Sequence, residues 1–207
     1  MRGCSINIIN KVPTSRKAVA ITFDDGPNPI YTPQVLEIFS ESVGKATFFM
    51  IGEQMKKNPE VVKQVAALGH EIGNHTFTHP KLSLLSIAEC LEEIEQNEKL
   101  IEELAGQKPV VFRPPYFDYN QDTVSLLNQK GYPMIGAINL EARDWEQPGV
   151  MHILEKSRER IQNGSILIFH DGYGDRSQTI EAVRKLVSEL TSQGYQLVTV
   201  SELLELA

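Results

Sequence analysis

The sequence predicts one α/β domain in which parallel strands alternate with helices. Short runs rich in β-branched and aromatic residues are separated by longer amphipathic segments, and this alternation is typical of βαβ units. The length of 207 residues suits a single hydrophobic core, and no repeat, linker or charge block divides the chain. We therefore expect one domain over residues 1–207, with its core in about residues 18–200.

Seven apolar runs have the length and residue types of buried strands. In chain order they are Ala18–Phe23, Ala46–Ile51, His70–Asn74, Val110–Arg113, Pro133–Ile138, Ser165–His170 and Gln196–Val200. Each run is too short for a typical helix, and six of the seven are bounded on at least one side by glycine, proline, asparagine or aspartate, which favour turns. The sequence therefore predicts seven strands.

Six amphipathic segments lie between these runs and are predicted to be helices. They are Thr32–Ser40, Pro59–Leu68, Ile87–Ala105, Gln121–Gln129, Met151–Gln162 and Gln178–Gln193. Gly69, Gly106 and Gly194 each follow such a segment, where glycine readily takes the left-handed conformation that ends a helix. Since crossovers between parallel strands are right-handed, the helices are expected outside a distorted (β/α) barrel that resembles a TIM barrel. An open doubly wound sheet is the alternative.

Composition limits the partners and the compartment. The net charge of −7 and the lack of a Lys/Arg-rich run give no basic surface for nucleic acid, and no run of about 18 apolar residues predicts a transmembrane segment. The first residues are too polar for a signal peptide, so the chain as given is expected in the cytoplasm, or at the cell wall or outside the cell if a leader was removed. Cys4 and Cys90 are interpreted as structural thiols, and the oligomeric state is left open.

Two adjacent acids, Asp24 and Asp25, end the first strand and precede Gly26 and Pro27. An ordinary Asp-Gly turn is one interpretation. Adjacent carboxylates are costly to ionise together, however, unless a cation or an arginine compensates them. The pair is therefore a candidate metal-binding or acid-base site.

Two histidines, His75 and His79, follow the third strand with a spacing of four. This spacing presents both imidazoles to one cation if the segment forms a helical turn, although a turn cap and an exposed histidine would give the same pattern. With Asp25 the pair forms a two-histidine, one-carboxylate set, which leaves positions open for water and substrate. The sequence thus predicts one divalent metal ion.

Three further candidates end later strands. Arg113 precedes two prolines and Tyr116; it is either a surface arginine on a rigid strand exit or the partner that keeps a catalytic carboxylate ionised, with the Tyr116 N–H as an oxyanion donor. His170 ends the sixth strand, and Asp144 is its natural partner, although a histidine there can also be a simple cap. Asp24, Asp25, His75, Arg113, Asp144 and His170 all lie at or just beyond the carboxyl ends of five different strands, where barrel enzymes build their active sites.

Five segments in order resemble the motifs of the polysaccharide deacetylases of carbohydrate esterase family four, the NodB-homology domain. They are Thr22–Gly26, His75–His79, Arg113–Tyr116, Asp144–Trp145 and Leu167–His170. The resemblance covers about residues 18–200 and favours the distorted barrel over the open sheet. Two departures are Phe117, where many members have glycine, and Glu141, where the fuller fourth motif often has aspartate.

The resemblance implies a metal-dependent enzyme that removes acetyl groups from N-acetylglucosamine-containing polysaccharides or oligosaccharides of the chitin or peptidoglycan type. Asp25, His75 and His79 would hold the cation, most simply Zn²⁺, with Co²⁺ or Ni²⁺ as alternatives. Asp24 would be the base, paired with Arg113, and His170 the acid, paired with Asp144. Trp145 and Leu167 would wall an acetyl-methyl pocket, although core packing is an alternative for Leu167. An O-acetyl esterase acting on xylan and a catalytically silent glycan-binding domain are the alternative functions.

Overall fold

A computed structural model describes residues 8–207, so the prediction for Cys4 lies outside the described residues. Within them, five strands are parallel: β1 (Ala18–Asp24), β2 (Thr47–Met50), β3 (Glu71–Asn74), β4 (Ile166–His170) and β5 (Gln196–Leu197). The sheet order is β3-β2-β1-β4, and β5 pairs with the beginning of β1. The predicted α/β class is confirmed.

Backbone contacts continue around the sheet beyond these strands. Phe112 forms parallel bridges with Asn74 of β3 and with Met134, and the Ile138 N–H donates to the Ile166 carbonyl of β4 at 3.0 Å. These contacts lead from β3 back to β4, as a distorted barrel requires.

Three predicted strands are shorter than expected. Val110–Arg113 and Pro133–Ile138 contribute only isolated bridges, because Pro109, Pro114, Pro115 and Pro133 remove the N–H donors that would extend a ladder. The last strand ends at Leu197 rather than Val200, because the side chain of Thr199 accepts from the Glu202 N–H and starts a helix.

Eight α-helices occur in residues 8–207. They are α1 (Tyr31–Ser42), α2 (Gly52–Lys57), α3 (Pro59–Ala67), α4 (Ile87–Ala105), α5 (Gln121–Lys130), α6 (Val150–Arg158), α7 (Ser177–Ser192) and α8 (Val200–Leu204). All six predicted helices form, one with the predicted ends and five with shifted ends, while α2 and α8 were missed because they are too short to show a helical period. No helix in this part of the chain is both long enough and apolar enough to cross a bilayer.

The core has two main layers that follow from strand alternation. Outside the sheet, Phe23 stacks on Phe48 with ring centroids 5.3 Å apart and lies 6.2 Å from Phe169, beneath the surrounding helices. Inside, smaller side chains of β1 and β4 pack with Val200 and Leu203 of α8. The short helix α8 therefore fills the barrel end at which the strands begin, opposite the ends that carry the candidate site.

Candidate metal and catalytic site

The predicted polar residues meet in one cavity at the carboxyl ends of the strands. In the β1–β4 register Asp24 is the direct partner of His170, so the proposed base and acid are adjacent across the sheet. The cavity has a volume of about 400 Å³. It is lined by Asp24, Asp25, His75, His79, Pro114, Tyr116, Phe117, Trp145, Ile168 and His170.

Asp25, His75 and His79 form a compact cluster whose candidate ligand atoms all lie within 4.8 Å of one another. The Asp25 Oδ1 atom is 3.5 Å from His75 Nε2 and 3.1 Å from His79 Nε2. Burial alone would raise the pKa of the Asp25 carboxyl, but hydrogen bonds and charge interactions with the two histidines hold this pKa well below its usual range. The carboxylate is thus available as an anionic ligand.

The orientation of His75 suits a metal ligand. Its Nδ1 lies 2.7 Å from the Arg113 carbonyl oxygen, which can only accept a hydrogen bond, so Nδ1 carries the proton. Nε2 then faces Asp25 and His79: it can share a proton with the Asp25 carboxylate, and without that proton its lone pair is free to bind a cation. Metal-binding histidines are commonly oriented in this way by a backbone carbonyl, and the cluster therefore fits a divalent cation.

The loops that carry Asp25 and His170 fit together closely. Asp25 has a positive φ of 71°, and a side-chain carbon added at Gly172 would lie 1.9 Å from the Asp25 carbonyl oxygen. Only glycine fits at position 172 without displacing Asp25. The Asp171 N–H donates to the Asp24 carbonyl at 3.2 Å and ties the same two loops together.

Asp24 is paired with a fully buried arginine. Arg113 Nη1 lies 2.6 Å from Asp24 Oδ1 and donates to Thr22 Oγ1 at 2.7 Å. The remaining guanidinium donors reach the carbonyls of Ile135 and Gly136. Because each contact is inside the protein, Arg113 is a charge partner with a fixed position rather than the surface arginine of the alternative interpretation.

His170 is paired with Asp144, which is almost completely buried. Asp144 Oδ1 accepts from His170 Nδ1 at 2.8 Å, and its Oδ2 accepts from the His170 backbone N–H and the Thr179 hydroxyl. Burial opposes protonation of His170, but the Asp144 carboxylate, helped by Asp24 and Asp25, outweighs it and raises the His170 pKa to about 9. His170 is therefore a proton donor at neutral pH.

Aromatic side chains form the walls of the cavity. The Tyr116 ring lies 4.6 Å from the His79 ring, and the Trp145 ring lies 5.3 Å from the His170 ring. Tyr116 and Phe117 both have positive φ values, 58° and 51°, which side chains rarely adopt without surrounding constraints. Phe117 therefore narrows the cavity from a position whose backbone conformation favours glycine.

The prediction that Leu167 walls the cavity is wrong. Leu167 is fully buried in the outer core layer, whereas its neighbour Ile168 lines the cavity. Successive side chains of a strand point to opposite faces, and His170 points inward, so Ile168, two residues earlier, points inward as well. Counting back from His170 in steps of two identifies the correct residue.

Two further residues complete the description of the site: Glu141, which departs from the family motif, and Asp171, which was not predicted. Glu141 is exposed and pairs with Arg160 at 3.3 Å, away from the cavity lining. Asp171 is fully buried, accepts from the Thr32 hydroxyl at 2.5 Å, and its Oδ1 has no partner among the described residues. Burial, with the charges of Asp25 and Asp24, raises its pKa to about 7.

Comparisons with known proteins agree with this geometry. The polysaccharide deacetylase family model matches residues 11–135. A peptidoglycan-N-acetylglucosamine deacetylase of Bacillus cereus is 43% identical over 195 residues, which are 94% of this chain and 91% of that protein.

Solved structures also resemble this chain over nearly its full length. The Bc1960 peptidoglycan N-acetylglucosamine deacetylase has a TM-score of 0.89 at 29% identity, covering 95% of this chain and 92% of that one. A CE4 family pseudoenzyme of Bacillus anthracis, BA3943, has a TM-score of 0.88 at 28% identity, covering 97% of this chain and 69% of that one. The fold is thus shared by an enzyme and a pseudoenzyme, so the side chains of the site must distinguish them.

Proposed function

Because this chain belongs to the polysaccharide deacetylase family, we propose that it removes acetyl groups from N-acetylglucosamine-containing glycans of the peptidoglycan or chitin type. One observation carries the proposal: the Asp24–Arg113 and His170–Asp144 pairs face one cavity beside the Asp25, His75 and His79 cluster. The site thus has a base, an acid and a candidate set of metal ligands.

We propose that Asp25, His75 and His79 hold one divalent cation, with Zn²⁺ first and Co²⁺ or Ni²⁺ as alternatives. A cation bound there would lower the pKa of a water molecule and polarise the acetyl carbonyl. Two imidazoles and one carboxylate leave coordination positions for water and substrate, as a hydrolytic site requires.

Two side chains carry out the proton transfers, one as the base and one as the acid. Asp24 accepts a proton from the attacking water, and Arg113 balances the charge of the carboxylate within the buried wall. The Tyr116 N–H donates to the oxyanion that develops on the acetyl group. His170, held by Asp144, delivers a proton to the departing sugar nitrogen, and Trp145 and Ile168 contact the acetyl methyl group.

The acid favours amide over ester hydrolysis. An amine leaves poorly unless it is protonated, whereas an alcohol leaves more readily. A histidine whose pKa is raised to about 9 supplies this proton at neutral pH. The same site would accept an O-acetyl group on xylan, so the esterase is the second candidate function.

The substrate class also implies a place of action. The B. cereus relative is named for peptidoglycan, a cell-wall polymer, and we propose that this chain likewise acts on a cell-wall glycan. The alternative of a silent glycan-binding domain is opposed by the presence of Asp24 and His170 in hydrogen-bonded pairs.

Acetate release tests the proposal. The purified protein is given N-acetylglucosamine oligomers, peptidoglycan and acetylated xylan, with and without a chelator, and metal content is measured on the same sample. We expect release from the N-acetylated glycans that is lost with the chelator and returns with Zn²⁺. Asp24→Asn should lower kcat by about 10²-fold to 10⁴-fold, the usual contribution of acid-base catalysis.

The control is Glu103→Gln, an exposed residue of α4, which should keep full activity. Release from acetylated xylan alone would establish the esterase. No release from any glycan at any metal content would leave the silent domain as the function.

A further inference from the structure

The segment that carries both histidine ligands is held mainly by side chains. We call residues 75–79 the metal loop. The Thr76 N–H donates to Asn74 Oδ1 at 2.9 Å, and the His79 N–H donates to Thr76 Oγ1 at 3.1 Å. These two bonds fix the beginning and the end of the loop.

The N–H groups in the middle of the metal loop are held by one carboxylate, while the Thr76 and Phe77 carbonyls accept from the Gly52 and Glu53 N–H groups of α2 at 3.1 and 2.9 Å. Glu93 Oε2 accepts from the backbone N–H groups of Phe77 and Thr78, at 2.9 and 2.8 Å. Its other oxygen accepts from the Thr78 hydroxyl at 2.7 Å. Charge-assisted hydrogen bonds of this kind are about twice as strong as neutral ones, so Glu93 is a strong anchor of the loop.

The loop requires an anchor because its backbone is unfavourable. Thr76 and His79 have positive φ values of 65° and 64°, a strained conformation that persists only where the surroundings impose it. Helix α4, which carries Glu93, also holds Asn74. The Asn74 side chain donates to the Ile94 carbonyl and accepts from Asn97. Helix α4 therefore holds both the beginning and the middle of the metal loop.

We propose that Glu93 is a positioning residue for the metal ligands. Its carboxylate fixes the spacing between His75 and His79 and so sets the metal affinity, without contacting substrate or the cation. The inference rests on the proposed metal site. It concerns a residue outside the recognised motifs, one that reaches the site from a helix rather than from a strand end.

Glu93→Gln tests this role, because the amide keeps the length of the side chain but removes the negative charge that strengthens its bonds to the Phe77 and Thr78 N–H groups. We expect the dissociation constant for Zn²⁺, measured by competition with a chelating dye, to rise about tenfold, the lower end of effects from groups that orient ligands. The absorption spectrum of the Co²⁺-loaded variant should also change. At saturating metal, the KM for the glycan should stay within a factor of two of wild type.

Further measurements distinguish an effect on ligand position from a general effect of charge or of misfolding. Glu103→Gln removes a charge from the same helix without touching the loop, and binding in 1 M salt, where the Debye length is about 3 Å, suppresses long-range charge effects. Thr78→Val removes only the third bond to Glu93 and should weaken Zn²⁺ binding about twofold to threefold. It also supplies the test if Glu93→Gln does not fold.

An unchanged Zn²⁺ affinity and Co²⁺ spectrum in both loop variants would overturn the role of Glu93 while leaving the proposed function intact. A wild-type protein that binds neither ion would instead reject the metal site, and with it both proposals.

Discussion

At the scale of residues, Asp24 and His170 each have a charged partner that is buried. Arg113 is completely buried beside Asp24, and Asp144 is 1% exposed beside His170. Removing one partner of such a pair leaves an uncompensated buried charge, which costs about 3–5 kcal/mol. Substitution of the partners is therefore best done with neutral residues that keep the hydrogen bonds.

Asp144→Asn tests the protonation of His170. The His170 pKa lies at about 9, above the ordinary value of 6.5, so the proton donor is present below this pH and is lost as the pH rises through it. Removing the Asp144 charge should lower the His170 pKa by about 1–3 units, the usual effect of an opposite charge. We expect the alkaline limb of kcat/KM against pH to move to lower pH by a similar amount.

The pH profile is measured with an N-acetylglucosamine oligomer at saturating Zn²⁺. Thr179→Val, which removes a weaker contact to Asp144 at 3.0 Å, should move the limb less. An alkaline limb at the same pH in Asp144→Asn would show that His170 is not the group that titrates.

The positions of the site side chains were predictable from the sequence where a residue type and a strand end coincide. Asp24, Asp25, His75, Arg113, Asp144 and His170 have such signals and meet at one rim. Ile168 was predictable only from the alternation of side chains along a strand, which places it on the same face as His170. The prediction of Leu167 ignored this alternation. Glu93 had no signal, because a glutamate in an amphipathic helix ordinarily faces water, and its three bonds to the metal loop depend on the tertiary position of α4.

At the scale of elements, the end of α1 contains a substitution site for stability. Val43 follows the helix with φ of 57° and is 95% exposed, so its branched side chain takes a left-handed conformation without any packing. Val43→Gly should remove about 1–2 kcal/mol of strain. Part of this gain is offset because glycine increases the conformational entropy of the unfolded chain. We expect the free energy of unfolding to rise by about 0.5–1 kcal/mol, measured by urea denaturation.

Val43→Ala is the matched control, because it removes the branch but keeps a Cβ atom in the left-handed region. Its stability should fall between those of wild type and Val43→Gly. A Val43→Gly protein less stable than wild type would mean that the strain is absent in solution.

Elements were predictable in proportion to their length and their end signals. Helix α4 combines a capping box at Ser86 and Glu89 with Gly106 at its end, and its predicted bounds agree with the structure. The segment near Ile9, which forms a bridge with Ile135, was not predicted, because a short bridge has no period of its own. Its pairing is a tertiary property.

At the scale of the whole molecule, metal binding should increase the free energy of unfolding. A ligand that binds only the folded state at 100 times its dissociation constant adds about 2.7 kcal/mol, which corresponds to roughly 5–10 °C in Tm for a chain of this size. We therefore expect the Tm, measured by differential scanning fluorimetry, to fall with a chelator and to return with Zn²⁺. Asp25→Asn should abolish the response while Glu103→Gln retains it. An equal response in Asp25→Asn would place the binding elsewhere.

The α/β class was predictable from alternation, whereas the distorted barrel was preferred to an open sheet through the family resemblance. The alternation of apolar runs and helices determines the class. It does not show that Phe112 and Met134 form only single bridges, although the neighbouring prolines, which lack N–H donors, are visible in the sequence.

The pairing of Asp24 with His170 has a consequence for the order in which the chain becomes active. β1 is among the first segments to be synthesised, and its partners β4 and β5 are among the last. Parallel pairing between such distant segments is slow to form, and domains complete their folding only when all their strands are available. The three candidate metal ligands, Asp25, His75 and His79, all come from the first half of the chain, whereas the candidate proton donor is added only when β4 is synthesised and pairs with β1. Deacetylation should therefore begin only near the end of folding.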